Sequence, residues 1–522
     1  MIPVLDTAVT GTTAEAAALA VFRRDYPAFA TTSVLDDLRA TEYGRLDAQG
    51  QTYLDYTGGS LYAESQVQQH RALLEQNVFG NPHSENPTSL AMSRRIEETR
   101  ARILEFFNAS PADYEVIFTP NATGALKIVG ESYPFAPGSD YLLTFDNHNS
   151  VNGIREFARA KGATVSYVAA QPPDLRVDRD KLMAHLRETP TRATGGLGQE
   201  RRRGLFAYPA QSNFSGVQHP LEWIAEAQAL GWDVLLDAAA FAPTNRLSLD
   251  RWRPDFVALS FYKMFGYPTG IGCLITRKAA LAKLQRPWYA GGTITFSSVQ
   301  AAEGHGRGFY RSPGPAGFED GTLDYLGIPA VDIGLRHLAS IGMQTIHTRV
   351  TCLAAWLLNE LAVLTHTNGV AMVRIYGPVD VHLRGASIAL NLYDPTGQMI
   401  DSRLVERYAN RIMLSLRRGC HCNPGAGEAA LGISKAEMTG YFQNKDRLSY
   451  EEFLHIIDRR TAGVARVSFG VASTFADAYR FSAFVQTFRD VQVKELTAGP
   501  REVVDPGPPP TGQSQASACS AQ

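Results

Sequence analysis

Cysteine is scarce in this chain: five residues in 522, an odd number. That excludes a disulfide scaffold and makes a reducing compartment the default, so a cytoplasmic location is expected and any special cysteine should be catalytic. No apolar run approaches the roughly 20 residues that span a bilayer. The opening MIPVLDTAVT lacks the basic-then-apolar pattern of a secretory signal. Net charge is nearly absent too, with 50 basic and 52 acidic residues giving −2. No global field recruits nucleic acid or an anionic membrane, and neither is expected as a partner. The triplet Arg201, Arg202, Arg203 sits beside Gly195, Gly196 and Gly198 and reads as a solvated loop. Internal repeats are lacking.

What is present describes an ordinary globular protein, 44% hydrophobic and 20% charged. An Ala-rich helix is expected from Ala14 to Phe22. Strand-like runs then alternate with helical patterns: Tyr114 to Thr119, Asp140 to Phe145, Thr164 to Ala169, Gly204 to Tyr208, Asp233 to Asp237, Phe256 to Ser260 and Gly272 to Thr276. Helices are expected at Asn121 to Glu131, at Val151 to Ala160, and through most of Val331 to Leu364. This alternation predicts an α/β fold with a mainly parallel seven-stranded sheet. Strand patterns near Ala371 to Ile375 and Ala386 to Leu392 mark a smaller α+β domain. The expected division is an N-terminal segment 1–69 joining the small domain, a large domain 70–340, and a small domain 341–495. A mobile insertion is expected at 189–199, and a disordered Pro/Gly/Ser/Gln-rich tail, carrying Cys519, at 496–522.

In WDVLLDAAA an apolar strand delivers Asp237 at its C-terminal end, where open α/β sheets bind ligands. The next strand, DFVALS, delivers Ser260, Phe261, Tyr262 and Lys263. Alone, Asp237 reads as a helix cap and Lys263 as a surface charge. Together they meet the demand of pyridoxal phosphate for a lysine imine on one side and a carboxylate against its pyridine nitrogen. FTPNATGA turns a strand into a helix, whose free N–H groups and dipole favour a phosphate dianion. Ala122 and Thr123 are its candidate first contacts, with hydroxyls from Ser260 and Tyr262. His148, in DNHNSV, is a candidate to stack on the cofactor ring. Asn213, in PAQSNFSG, is a candidate donor to its phenolic oxygen. In LRRGCHCNPGAG, Cys420 and Cys422 flank His421 in a Gly-rich loop suited to an exposed thiolate. This spacing is too tight for the usual zinc knuckles, so no metal is expected. Arg466, in ARVSFG, is a candidate bidentate clamp for a substrate carboxylate.

With these residues in hand, the chain resembles the class V aminotransferase superfamily of fold-type I pyridoxal-phosphate enzymes. Within it the resemblance is greatest to the cysteine desulfurase part of molybdenum cofactor sulfurases. The matching segments run in order from YLDYTGGSLY through FGNPHS, FTPNATGALKIV, DNHNSV, LLDAAAFAPTN, DFVALSFYKMFGYPTGIGCLI, YAGGT and FEDGT to LRRGCHCNPGAG and ARVSFG. The resemblance implies that Lys263 is the Schiff-base lysine, Asp237 the pyridine-nitrogen partner, His148 the stacking ring, Asn213 the phenolic-oxygen donor and Thr123 a phosphate ligand. Thr293 would reach the phosphate of a neighbouring subunit, which implies a homodimer. Cys422 would accept sulfur from L-cysteine, forming an enzyme persulfide with release of L-alanine. Arg466 would clamp the carboxylate, and Arg417, Arg418 and His421 would lower the Cys422 pKa.

Three positions depart from the family pattern. Gly427 stands where a third cysteine is usual, Ala240 replaces a polar side chain near the cofactor, and a disordered-looking tail follows where molybdenum cofactor sulfurases carry another domain. A stand-alone desulfurase half donating to a separate acceptor protein is the expectation. Another class V reaction (transamination, C–S lysis, epimerisation or decarboxylation) is the alternative, and there Cys422 would be incidental. A non-enzymatic scaffold is disfavoured because Lys263 and Asp237 are both present.

Overall fold

The computed structural model describes residues 13–188, 204–302, 308–442 and 463–497. The insertion expected at 189–199, the arginine triplet and residues 498–522 lie outside the described residues, whereas residues 496 and 497 end the helix Val493–Thr497. Among the described residues no helix is long and apolar enough to cross a membrane.

Seven strands form the central sheet: β1 (Tyr114–Thr119), β2 (Asp140–Thr144), β3 (Thr164–Val168), β4 (Gly204–Pro209), β5 (Trp232–Asp237), β6 (Phe256–Ser260) and β7 (Gly272–Arg277). Their spatial order is β3-β2-β4-β5-β6-β7-β1, and β7 alone runs antiparallel to its neighbours. Every residue of β2, β4 and β6 is buried. A mainly parallel sheet covered on both faces requires such continuous apolar runs, which is why alternation is missing from these strands. Each of these seven strands is found within one residue of its expected ends, and the fold is the α/β fold that the sequence predicts.

Helices cover the sheet, and their ends follow local chemistry. α1 (Pro87–Phe106) starts with Asn86 accepting from Ser89 N–H and Pro87 in the first turn. α2 (Ala122–Ser132) is capped by Asn121, which accepts from Gly124 N–H. The single helix expected from Val151 to Ala160 is instead two pieces, α3 (Asn149–Asn152) and Ile154–Ala160, meeting at Gly153. α4 (Phe261–Phe265) is short and ends at Gly266 with φ +80°. α5 (Ile328–Ile341) and α6 (Met343–Ala362) are separated by Gly342 at φ +86°, a conformation that stops a helix cheaply only at glycine. α5 packs on α1, and α6 reaches the N-terminal region.

A second, fully antiparallel sheet contains β8 (Val373–Tyr376), β9 (Ser387–Leu392), β10 (Arg417–Gly419) and β11 (Val464–Ser468), in the order β8-β9-β11-β10. The N-terminal residues Thr52–Tyr53 pair in parallel with Leu414–Ser415, and Asp55 bridges to Ser468. This pairing carries Asp55 across more than 400 positions of sequence to the side of Arg466. α7 (Pro424–Leu431) follows the loop that bears Cys422.

Candidate active site

The parallel strands of the central sheet end on one edge, and a cavity of about 170 Å³ opens there, several times the ~10–15 Å³ that one water needs. Lys263, Asp237, His148, Asn213, Ala122, Thr123, Ser260 and Tyr262 all line it, together with Ser150 and Gln211, which sequence reasoning did not single out. Eight side chains from five separated segments thus meet because β1, β2, β4, β5 and β6 all terminate at this edge.

Asp237 closes β5. Its Oδ1 accepts from Ala239 N–H at 3.0 Å, and its second oxygen has no protein donor among the described residues. Burial raises the Asp237 carboxyl above its ordinary value, partly offset by that N–H and by the nearby Lys263 ammonium. Lys263 lies in α4, one residue after Tyr262 and directly beyond the end of β6. Ser260 accepts the first N–H of α2, from Ala122, at 2.8 Å, tying the helix terminus to the lysine segment. This closeness leaves no room at Gly272, where a Cβ would stand 2.4 Å from Leu259 O and 2.6 Å from the Asn121 carbonyl carbon. Thr123 Oγ1 and Ser150 Oγ are 2.8 Å apart and add two hydroxyls beside the helix N-terminus.

His148 caps α3, its Nδ1 accepting from Ser150 N–H at 3.1 Å. That bond leaves the proton of the neutral ring on Nε2. Burial, helped by the charges of Lys263 and Arg466, lowers the His148 pKa to about 3, so the ring is neutral at physiological pH.

Asn213 faces two ways. It lines the cavity, while its Nδ2 donates to His421 O at 2.6 Å and its Oδ1 accepts from Asn423 Nδ2 at 2.9 Å. Arg466 and Cys422 do not line the cavity but are fastened to its wall. Arg466, only 2% exposed, donates to Asn213 O at 2.7 Å and to Asp55 Oδ1 at 3.0 Å. Burial and the neighbouring Arg417 lower its pKa, and Asp55 opposes them. Cys422 O accepts from Asn149 N–H at 2.7 Å, next to His148. Neither Cys420 nor Cys422 is in a disulfide.

Thr293 stands apart. Its buried hydroxyl is turned into its own loop, donating to Ala290 O at 2.8 Å and accepting from Ala290 N–H at 2.9 Å. The three groups expected to help Cys422 are each otherwise engaged or neutral. Arg417 is paired with Asp55 at 2.7 Å and Arg418 with Glu406 at 2.6 Å, while burial drives His421 well below its ordinary pKa and keeps it neutral. Asp55 and Asn423 were not singled out. Asp55 lies in the YLDYT segment, and Asn423 precedes a proline as helix caps commonly do.

The family model described as aminotransferase class-V matches residues 52–481. Among individual proteins, the chain is 36% identical over 476 residues to molybdenum cofactor sulfurase of Solanum lycopersicum, covering 87% of this chain and 57% of that protein. It is 37% identical over 478 residues to molybdenum cofactor sulfurase of Arabidopsis thaliana, covering 86% of this chain and 58% of that protein. The chain thus spans under three fifths of the length of these curated relatives. Among solved structures, the apo cysteine desulfurase of Thermococcus onnurineus superposes with a TM-score of 0.69 at 21% identity, covering 86% of this chain and 96% of that one, a likeness of fold. The chain therefore belongs to the class-V aminotransferase family.

Proposed function

We propose that this protein is a pyridoxal-phosphate-dependent cysteine desulfurase that moves sulfur from L-cysteine to Cys422 and releases L-alanine. One observation carries the reading: the cavity lined by Lys263 and Asp237 shares its wall, through Asn213 and Asn149, with the loop bearing Cys422. The residues present fit the cofactor. A buried carboxylate with an undonated oxygen suits a protonated pyridine nitrogen. The N-terminus of α2, with the hydroxyls of Thr123, Ser150 and Ser260 around it, suits a phosphate. The neutral His148 offers a flat ring, and Lys263 is the amine for covalent attachment.

When bound, pyridoxal phosphate supplies an electron sink for the α-carbon of an amino acid. Lys263, once displaced by the substrate amine, takes the α-proton as general base and returns a proton as acid. Arg466 receives the substrate carboxylate, since the Asp55 carboxylate is shared with Arg417 and offsets only part of the paired charge. The Cys422 thiolate attacks the substrate sulfur. An S–S bond forms as the Cβ–S bond breaks, the electron pair remains with carbon, and a proton there completes alanine. The persulfide on Cys422 then passes to a separate acceptor or, with a thiol reductant, leaves as sulfide. A homodimer belongs to the same reading, favoured by the exposed Phe296, Val299 and Tyr310 at 60, 91 and 74%. A cytoplasmic location is proposed with it.

Purified protein given L-cysteine and a thiol reductant should yield alanine and sulfide in equal amounts, with both lost in Lys263→Ala and Cys422→Ala. Turnover that survives Cys422→Ala would instead mark another class V reaction.

A further inference from the structure

We infer that Asn423 is a positioning residue, a latch that holds the Cys422 loop against the cofactor cavity. The loop does not adopt this form for local reasons. His421 and Cys422 have φ of +55° and +54°, a left-handed backbone that side chains with a Cβ disfavour. The His421 ring is buried, and neither of its nitrogens has a hydrogen-bond partner, an unfavourable placement for polar atoms. Contacts between the loop and the rest of the fold must offset both.

Asn423 is fully buried and does so with all of its amide. Its Nδ2 donates to Asp146 O at 2.7 Å and to Asn213 Oδ1 at 2.9 Å. Its Oδ1 accepts from Ala426 N–H at 3.2 Å, capping α7, whose first residue is Pro424. Asp146 lies two residues before His148, and Asn213 lines the cavity, so one amide ties the loop to two of the cavity's walls. The fit is close: a Cβ on Gly425 would stand 1.9 Å from Phe145 O. With Asn213 Nδ2 holding His421 O and Asn149 N–H holding Cys422 O, the backbone of Cys422 is fixed relative to His148 and Asn213. On the desulfurase reading, on which this inference rests for the sulfur step, Asn423 sets where the thiolate stands when substrate arrives.

The cap and the latch use different atoms, which makes them separable. Asn423→Asp keeps a capping oxygen but loses both donors. Asn423→Ser keeps a neutral cap and is too short to reach Asp146 O, and it serves should the buried charge of Asn423→Asp prevent folding. Two measurements on the holoenzyme test the inference. Alkylation of Cys422 by iodoacetamide, read by peptide mass, should be several-fold faster in the variant than in the wild type, with no substrate needed. Alanine formation from L-cysteine should fall by roughly 10²-fold, as misplacement of a reacting group does, while exchange of the amino-acid α-proton with solvent deuterium, which needs Lys263 and not Cys422, stays near wild type. Unchanged alkylation, or equal losses in exchange and alanine formation, would overturn it. A wild type that forms no alanine from L-cysteine would sink the desulfurase reading, while the alkylation comparison would still decide whether Asn423 holds the loop.

Discussion

Arg417 and Arg466 stand directly opposite one another on the neighbouring antiparallel strands β10 and β11, and the single carboxylate of Asp55 bonds to both. Like charges in that register repel. Asp55, brought in by the N-terminal segment, receives Arg417 at 2.7 Å and Arg466 at 3.0 Å. One carboxylate against two guanidiniums leaves a net positive charge in this cluster. Gly58 permits the arrangement, since a Cβ there would stand 2.5–2.6 Å from the Asp55 oxygens and the Arg417 guanidinium.

Removing the shared carboxylate should expose the repulsion. Asp55→Ala is expected to destabilise the protein by about 3 kcal/mol, because Arg466 is left buried and uncompensated. Arg417→Ala added to it should recover part of that loss. A denaturant-midpoint double-mutant cycle measures this coupling, and strict additivity would contradict it.

The depressed pKa of His148 predicts a pH dependence of stability. The ordinary value is 6.5 and the folded value about 3, so between these limits the unfolded state binds more protons than the folded one. Stability contributed by the neutral ring is complete above pH 6.5 and is lost as pH falls, at up to ~1.4 kcal/mol per pH unit. His148→Asn, which keeps a capping side chain, should flatten that slope. Urea unfolding of both proteins at pH 5.5 and 7.5 is the check: the difference in stability should shift toward the variant at the lower pH.

Asp237→Asn should separate folding from cofactor retention. The amide still accepts from Ala239 N–H, and it removes a carboxyl whose ionisation burial disfavours. Without cofactor the variant should be as stable as the wild type. Added pyridoxal phosphate at a hundredfold excess over Kd should stabilise the wild type by about 2.7 kcal/mol and the variant by clearly less. Thermal melts with and without the cofactor would show equal gains if Asp237 plays no part in holding it.

Gly427 offers a geometric test of the Cys loop. A Cβ at this position would lie 3.7 Å from the Cβ of Cys420, inside the ~3.5–4.5 Å range of disulfides. Gly427→Cys should therefore form a disulfide with Cys420 under mild oxidation, seen as linked peptides in a non-reduced digest. Pairing with Cys422 in its place would mean that the loop stands differently.

The strands and the residues at their ends were legible in the sequence because both are local properties. An apolar run bounded by turn residues is a strand wherever it packs, and parallel strands in a covered sheet must end on one edge. Asp237 and Lys263 could be paired from strand ends alone, and Ala122 and Thr123 from a strand turning into a helix. Breaks were harder to see: Gly153 and Gly342 divide helices whose apolar pattern continues through them.

What only the tertiary structure decided are the contacts across the chain. Asp55 meets Arg466 because Thr52–Tyr53 joins a strand far along the sequence, and no local pattern encodes that register. Thr293 Oγ1 is bonded to both the N–H and the carbonyl of Ala290 in its own turn, a pairing that spacing alone does not reveal. His421 is titratable by residue type, and burial keeps its ring neutral. Asn423 reads as an ordinary helix cap, since its donors matter only once Asp146 and Asn213 are folded against it. Residue type and spacing fixed which chemistry is available, because covalent identity and local backbone preference reside in the sequence. Burial and long-range register fixed which of those groups are charged, paired or poised, because desolvation and hydrogen-bond partners exist only in the folded chain.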